Sequence, residues 1–313
     1  MEKFQCNYLH LLCSSNVKII LCFLLLINFL INLLEMEFRN YTDTLFKNPL
    51  GSMNTKETVK RHYELMRSHQ TKEHVKKMED KYFKFDHAEL TIEEAFEKLE
   101  RYVDNSDPDM DLPNLEHMLQ TAEAMRKDNL PDWFILVGLI HDLGKIMFLW
   151  GTKEDGQEGT ATGEQWSLGG DTWIIGCKIP ETIVYHTFNQ LHPDYKSTEL
   201  GIYEKGCGLE NVKFAFGHDE YLYRMLEHNT KLGKCFLPRE AGLIIRYHSC
   251  YVWHTHNEYT DLMNKEDEAI KELVKLFNKY DLYTKNATKV NKIEVLPYYQ
   301  NLIKKYLPEK LKF

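Results

Sequence analysis

From Met36 to the C-terminus apolar residues recur at spacings of three and four, with no succession of short β-branched runs and tight turns, so the pattern predicts an all-α, mostly helical domain. Thr91-Ile-Glu-Glu94 is a capping box. The helix it opens carries Ile92, Phe96, Leu99 and Val103 on one stripe and stops near Asp104-Asn105-Ser106-Asp107-Pro108. Further helices are expected at about 114–128, 132–143, 218–228, 240–252, 265–280 and 297–307. Residues 133–140 (WFILVGLI) are apolar on every face, which requires burial. The stretch 150–212 is richer in Gly, Thr and Pro, and within it 151–163 (GTKEDGQEGTATG) lacks any period and reads as an exposed loop. No internal repeat or domain boundary appears, so 36–313 reads as a single domain.

The one long apolar run lies upstream. Residues 17–34 (VKIILCFLLLINFLINLL) contain Lys18, Asn28 and Asn32 and fall short of the about 20 residues that span a bilayer. No cleavage-type triplet of small residues follows Leu34, which argues against a secretory signal. The expectation is a cytoplasmic protein with residues 1–35 as an apolar extension; an anchor through 17–34 is the alternative.

Composition narrows the function. A chain of 313 residues, 43% hydrophobic and 12% aromatic, can bury a large core. Lys and Arg number 39 against 47 Asp and Glu, a net charge of −8, so no basic excess exists to track a phosphate backbone or an anionic membrane. Nucleic acid is excluded as a partner, no stable membrane partner is expected, and a monomer is. Seven cysteines without a C-x-x-C pair exclude a disulfide framework or zinc ribbon.

The chemistry begins where the buried helix runs into His141-Asp142-Leu-Gly-Lys145, since an imidazole, a carboxylate and an ammonium beside an apolar run must be paired or metal-bound. His117, His218, His248 and Asp281 also fall within or at the ends of helical segments. Taken singly, each could be a cap or a core hydrogen-bonding group. Together with His141 and Asp142 they form an ordered set of four imidazoles and two carboxylates without thiolate, a donor set that suits two iron, manganese or zinc ions sharing a carboxylate.

Four of these residues, His141, Asp142, His218 and Asp281, lie within segments that make the chain resemble the myo-inositol oxygenase family, a di-iron branch of the HD-domain superfamily, from about Phe38 onward. The segments are 106–114 (SDPDMDLPN), 141–147 (HDLGKIM), 197–201 (STELG), 207–212 (CGLENV), 217–223 (GHDEYLY) and 277–285 (FNKYDLYTK). The resemblance implies a helical HD-type core holding two iron ions, Fe(II)/Fe(III) in the active form. His117, His141 and Asp281 would bind one iron, His218 and His248 the other, and Asp142 both. It also implies that Lys145 and Asp142 act in catalysis. Arg39, Asp104, Asn105, Ser106, Lys145, Gly170, Asp171, His248, Ser249 and Lys285 would contact myo-inositol, which is cleaved with O2 to D-glucuronate and water. Asn105 stands where relatives often carry an acid, and the 151–163 insertion falls just before Gly170-Asp171.

Two other readings share these residues. An HD-type metal phosphohydrolase would use His117, His141, Asp142 and Asp281 to activate water, but no Arg cluster or glycine-rich phosphate cradle accompanies them. A helical binding module without turnover would be expected to lose a ligand, and none is lost. His62, His69, His74 and His87 are expected on solvated faces because Lys, Arg and Glu surround them. His254 and His256 cannot share a helix face, and Asp219 is placed to orient His218.

Overall fold

The computed structural model describes residues 56–104, 106, 114–159, 163–233, 235–283 and 289–313; the segment 17–34 and residues Arg39, Asn105 and Lys285 lie outside them. Helices α1 (Lys56–His69), α2 (Lys72–Tyr82) and α3 (Ile92–Leu99) precede α4 (Asn114–Lys127) and α5 (Asp132–Ile140), and α5 continues into a 3-10 turn, Leu143–Leu149. The remainder comprises α6 (His218–Lys231), α7 (Arg239–Tyr247), α8 (Tyr251–His254), α9 (Lys265–Tyr283) and α10 (Lys292–Tyr306). The fold is all-α. Its only described strands form two short antiparallel pairs, β1 (Glu89–Leu90) with β4 (Leu311–Lys312) and β2 (Ile174–Ile175) with β3 (Lys213–Phe214). Among the described residues no helix is long and apolar enough to cross a membrane.

Packing follows the apolar stripes. The all-apolar α5 lies at the centre, against α4, α7, α9 and α10, while α6 packs on α7 and on the 3-10 turn. Phe134, Leu136, Ile140, Ile146, Ile244 and Phe277 fill the interior between them. Burying side chains of this size contributes about 1.5–3 kcal/mol each and fixes the helix ends that carry the polar residues described below.

Several elements depart from the sequence expectation. The capping box at Thr91 is present, but α3 ends at Leu99 instead of carrying Val103 on its stripe; Tyr102 turns into the core, where its hydroxyl donates to Gln165 Oε1 at 2.8 Å. The helix expected at 240–252 is broken at His248–Cys250, and α10 starts five residues before Pro297, through a first turn whose Ile293 is exposed. The insertion is not simply an exposed loop. Asp155 and Gln157 are buried, because Lys77 and Lys81 of α2 donate to Asp155 at 2.5 and 2.8 Å and Tyr82 donates to Gln157 Oε1 at 2.5 Å. Polar side chains accept burial once each is given a partner. Residues 160–162 of the insertion lie outside the described part.

Candidate metal centre

Helix ends supply the centre. His141 and His248 cap the C-termini of α5 and α7, where the last carbonyls have no partner within the helix. Each ring turns its Nδ1 back onto the carbonyl three residues earlier, His141 to Gly138 at 2.9 Å and His248 to Ile245 at 2.6 Å. His218 opens α6, and both its main-chain N–H (2.9 Å) and its Nδ1 (2.6 Å) address the Leu168 carbonyl. A carbonyl only accepts, so all three rings carry a proton on Nδ1 and turn Nε2 inward as the atom a metal ion would take in place of a proton.

Inside this ring of imidazoles the carboxylates converge. Asp281, from α9, places Oδ1 at 2.8 Å from His117 Nε2 and 3.3 Å from His141 Nε2. Asp142 places Oδ1 at 3.0 Å from His218 Nε2 and 3.9 Å from His248 Nε2, while its Oδ2 lies 3.6 Å from His141 Nε2. Two groups, His117–His141–Asp281 and His141–Asp142–His248, bring their ligand atoms within 4.8 Å of one another and could each hold a metal ion. Burial alone would raise the Asp281 carboxyl, but His117 and His141 hold it well below the usual carboxylate range. The same opposition acts on Asp142, where Lys145 and His141 outweigh burial.

One contact tests whether a metal belongs here. His218 Nε2 and His248 Nε2 face each other at 3.1 Å, and with both rings neutral their Nδ1 partners leave these two atoms as acceptors. Two lone pairs at that separation repel unless a cation draws both. The residues present therefore fit a pair of metal ions ligated by nitrogen and oxygen.

Lys145 lies beside the centre. Its ammonium donates to Asp142 Oδ2 at 2.8 Å and Asn114 Oδ1 at 3.3 Å and pairs with Asp104 Oδ2 at 2.7 Å. Burial would strip the proton from this lysine, and the two carboxylates hold it on, raising the ammonium above its ordinary range. Ser106 steadies Asp104, its N–H and hydroxyl donating to Oδ1 at 2.8 and 2.6 Å. Gly170 and Asp171 form a turn on the same side, at the point where Thr172 N donates to the Ser249 carbonyl at 2.9 Å. Burial pushes the Asp171 carboxyl up to about 7, against the opposing pull of Arg67.

The structure thus brings His117, His141, Asp142, Lys145, His218, His248 and Asp281 together, with Asp104 and Ser106 adjoining through Lys145. Asp219, His62 and His74 depart from the sequence expectation. Asp219 does not orient His218: its Oδ1 accepts from Glu220 N at 3.0 Å, and the Leu168 carbonyl orients the ring. His62 is buried, not solvated, because α1 turns it, with Tyr63 and Met66, toward the 169–171 turn. His74 is only partly exposed, resting on Trp166 with Nε2 at 2.8 Å from Ser167 Oγ. His254 is buried, and its Nε2 donates to the His248 carbonyl at 3.0 Å, while burial pushes its imidazole down to about 3 and keeps it neutral. Asn114 and the Leu168 carbonyl carried no signal of their own in the sequence pattern.

Gly144 shows how tightly this corner is built. A Cβ there would fall inside the van der Waals surface of the His218 carbonyl and 3.1 Å from its Cα. Gly144→Ala is therefore expected to cost about 1–3 kcal/mol and to push His218 off the centre. Denaturant unfolding and metal content, measured together, check this; unchanged values in both would show that the corner has slack.

An all-α fold closed around a buried histidine–carboxylate centre without thiolate defines a helical, metal-dependent enzyme. The family profile described as myo-inositol oxygenase matches residues 56–313. Over 283 residues the chain is 41% identical to an inositol oxygenase of Dictyostelium discoideum, covering 88% of this chain and 89% of that protein. It is 44% identical over 279 residues to an inositol oxygenase of Mus musculus (87% and 89% covered) and 43% identical over 262 residues to inositol oxygenase 1 of Arabidopsis thaliana (82% and 80% covered). The chain belongs to the myo-inositol oxygenase family and is an oxygenase. The phosphohydrolase reading is not favoured.

Proposed function

We propose that this enzyme cleaves the ring of myo-inositol with O2 to D-glucuronate and water, using two iron ions. The observation that carries the reading is the convergence of four imidazoles and two carboxylates beside one buried ammonium, in a chain of this family. His117, His141 and Asp281 would hold one ion, His218 and His248 the other, and Asp142 would bridge them. Iron in the Fe(II)/Fe(III) state supplies the activation of O2 and the acidification of a chelated hydroxyl.

The remaining work falls to the protein. A neutral polyol offers no charge to grip, so the protein's own share of its affinity, beside what the metal ions would supply, comes from hydrogen bonds. Asp104, Ser106, Gly170, Asp171, His248 and Ser249 are assigned to that role, with Arg39, Asn105 and Lys285 from outside the described residues. Lys145 keeps its ammonium at the working pH because Asp104 and Asp142 flank it, and so stabilises negative charge on a substrate oxygen. Burial within the helical core excludes water from the reacting ring.

Oxygen uptake by the anaerobically Fe(II)-loaded full chain on addition of myo-inositol tests the reading, with glucuronate quantified in the same vessel. One glucuronate per O2 is expected. Two bound irons without uptake, or hydrolysis of phosphate esters instead, would overturn it.

Asp171 adds a pH dependence. With its pKa about 7, its carboxyl is neutral below that value and ionised above it. Its Oδ2 already accepts from Val184 N at 3.4 Å, so ionisation frees the other oxygen to act purely as an acceptor to substrate hydroxyls. KM for myo-inositol is therefore expected to fall as pH rises through about 7, and Asp171→Asn to raise KM and flatten that profile. A wild-type KM independent of pH across this window would remove Asp171 from the binding set.

A further inference from the structure

We propose that His62 is a positioning residue for the polyol: by tying the Gly169–Gly170–Asp171 turn to α1, it holds that turn against the Asp104–Lys145 pair and so sets substrate affinity. The inference rests on the functional reading above and adds a residue that it does not use. His62 is buried, and its Nε2 lies 3.1 Å from the Gly169 carbonyl, across 107 residues of sequence. Burial keeps the ring neutral, so it has one N–H to give, and a carbonyl partner places that proton on Nε2.

The other side of the turn is equally constrained. A Cβ on Gly169 would lie 3.0 Å from Asp104 Oδ2 and 3.3 Å from Ser106 Oγ, so the turn's backbone packs directly on the carboxylate that pairs with Lys145. Gly170 adopts φ +101°, a conformation open to glycine, and a Cβ there would meet Met66 Sδ at 2.8 Å and His62 Nε2 at 3.0 Å. The turn is thus clamped between α1 and the Asp104–Lys145 pair, with the His62 hydrogen bond at 3.1 Å as its shorter polar fastening on the α1 side, beside the 3.4 Å bond that Asp171 N donates to the Tyr63 hydroxyl. Among the described residues, the His62 hydrogen bond goes to the Gly169 carbonyl and not to a proposed metal ligand. Its loss should therefore change how well the polyol is held and leave the chemical step alone.

The test compares His62→Leu, which deletes the donor, with His62→Gln, whose terminal amide can reach the same carbonyl. Anaerobic calorimetric titration of the iron-loaded proteins with myo-inositol measures Kd, oxygen uptake gives KM and kcat, and metal analysis gives iron per chain. For His62→Leu, Kd and KM should rise about tenfold, the weight of one buried hydrogen bond, with kcat within about twofold and iron unchanged. His62→Gln should restore most of the affinity. Should the leucine variant prove unstable, His62→Asn, polar but too short to reach Gly169, should show the same loss. Wild-type binding with unaltered affinity in the leucine and asparagine variants would overturn the proposal alone, as would parallel loss of iron and kcat in every variant, including glutamine. A wild-type chain that binds no myo-inositol would overturn the functional reading and this proposal with it.

Discussion

Asp142→Asn is expected to leave the fold standing and the centre without its metal. The substitution keeps the side chain's shape but gives it one acceptor and one donor. Its oxygen can still take the Lys145 hydrogen bond now made at 2.8 Å, while the new amide group faces His218 Nε2, 3.0 Å from the present Oδ1. That nitrogen is an acceptor, because its ring donates from Nδ1 to Leu168. The amide therefore satisfies the lone pair a metal would use and removes the charge that would bridge two ions. Groups standing behind metal ligands already cost about 10–100-fold when removed. Losing the bridging carboxylate should exceed that, taking activity down by more than about a hundredfold. Iron per chain, oxygen uptake and the melting temperature of the metal-free protein measure the three parts separately. Full iron content with normal turnover would show that Asp142 is not the bridge.

Lys145→Met has the opposite signature. The methionine keeps the length of the chain in a buried slot but removes the ammonium between Asp104 and Asp142. Metal should stay, since all six proposed ligands remain and Asp142 loses only one donor to its Oδ2, while turnover should drop about 10²–10³-fold, as when a preorganised donor to a developing oxyanion is deleted. Asp104, held well below the usual carboxylate range chiefly by Lys145 against the pull of burial, would lose that support. Breaking one side of a buried ion pair costs about 3–5 kcal/mol, so the variant should also melt earlier. Iron retained with turnover lost identifies the lysine's role; turnover retained, or iron lost in parallel, would contradict it.

Both predictions concern residues that stand out in the sequence for a local reason. His141, Asp142 and Lys145 directly follow an uninterrupted apolar helix, and charged groups next to such a run need compensation wherever the rest of the chain lies. His62 illustrates the reverse. Its neighbours Lys60, Arg61 and Glu64 made its helix face read as solvated, whereas its burial depends on a turn 107 residues away. Asp219, next to His218, looked like its orienting partner because side-chain types are visible in a sequence. The actual partner is the main-chain carbonyl of Leu168, and backbone acceptors leave no mark on residue identity.

Helical periodicity, the capping box at Thr91, the buried apolar run at 133–140 and the set of histidines and aspartates are properties of local spacing and polarity, and the sequence by itself determined them. Membership of the family was equally legible, because its motifs are contiguous. Tertiary packing alone decided the break at His248–Cys250 that turns His248 inward, the tautomers that aim the Nε2 atoms at one another, and the clamping of the Gly169–Asp171 turn. Each of these depends on which carbonyl or carboxylate arrives from a distant element, and such encounters are governed by how helices pack in space, which a one-dimensional pattern of residues does not contain.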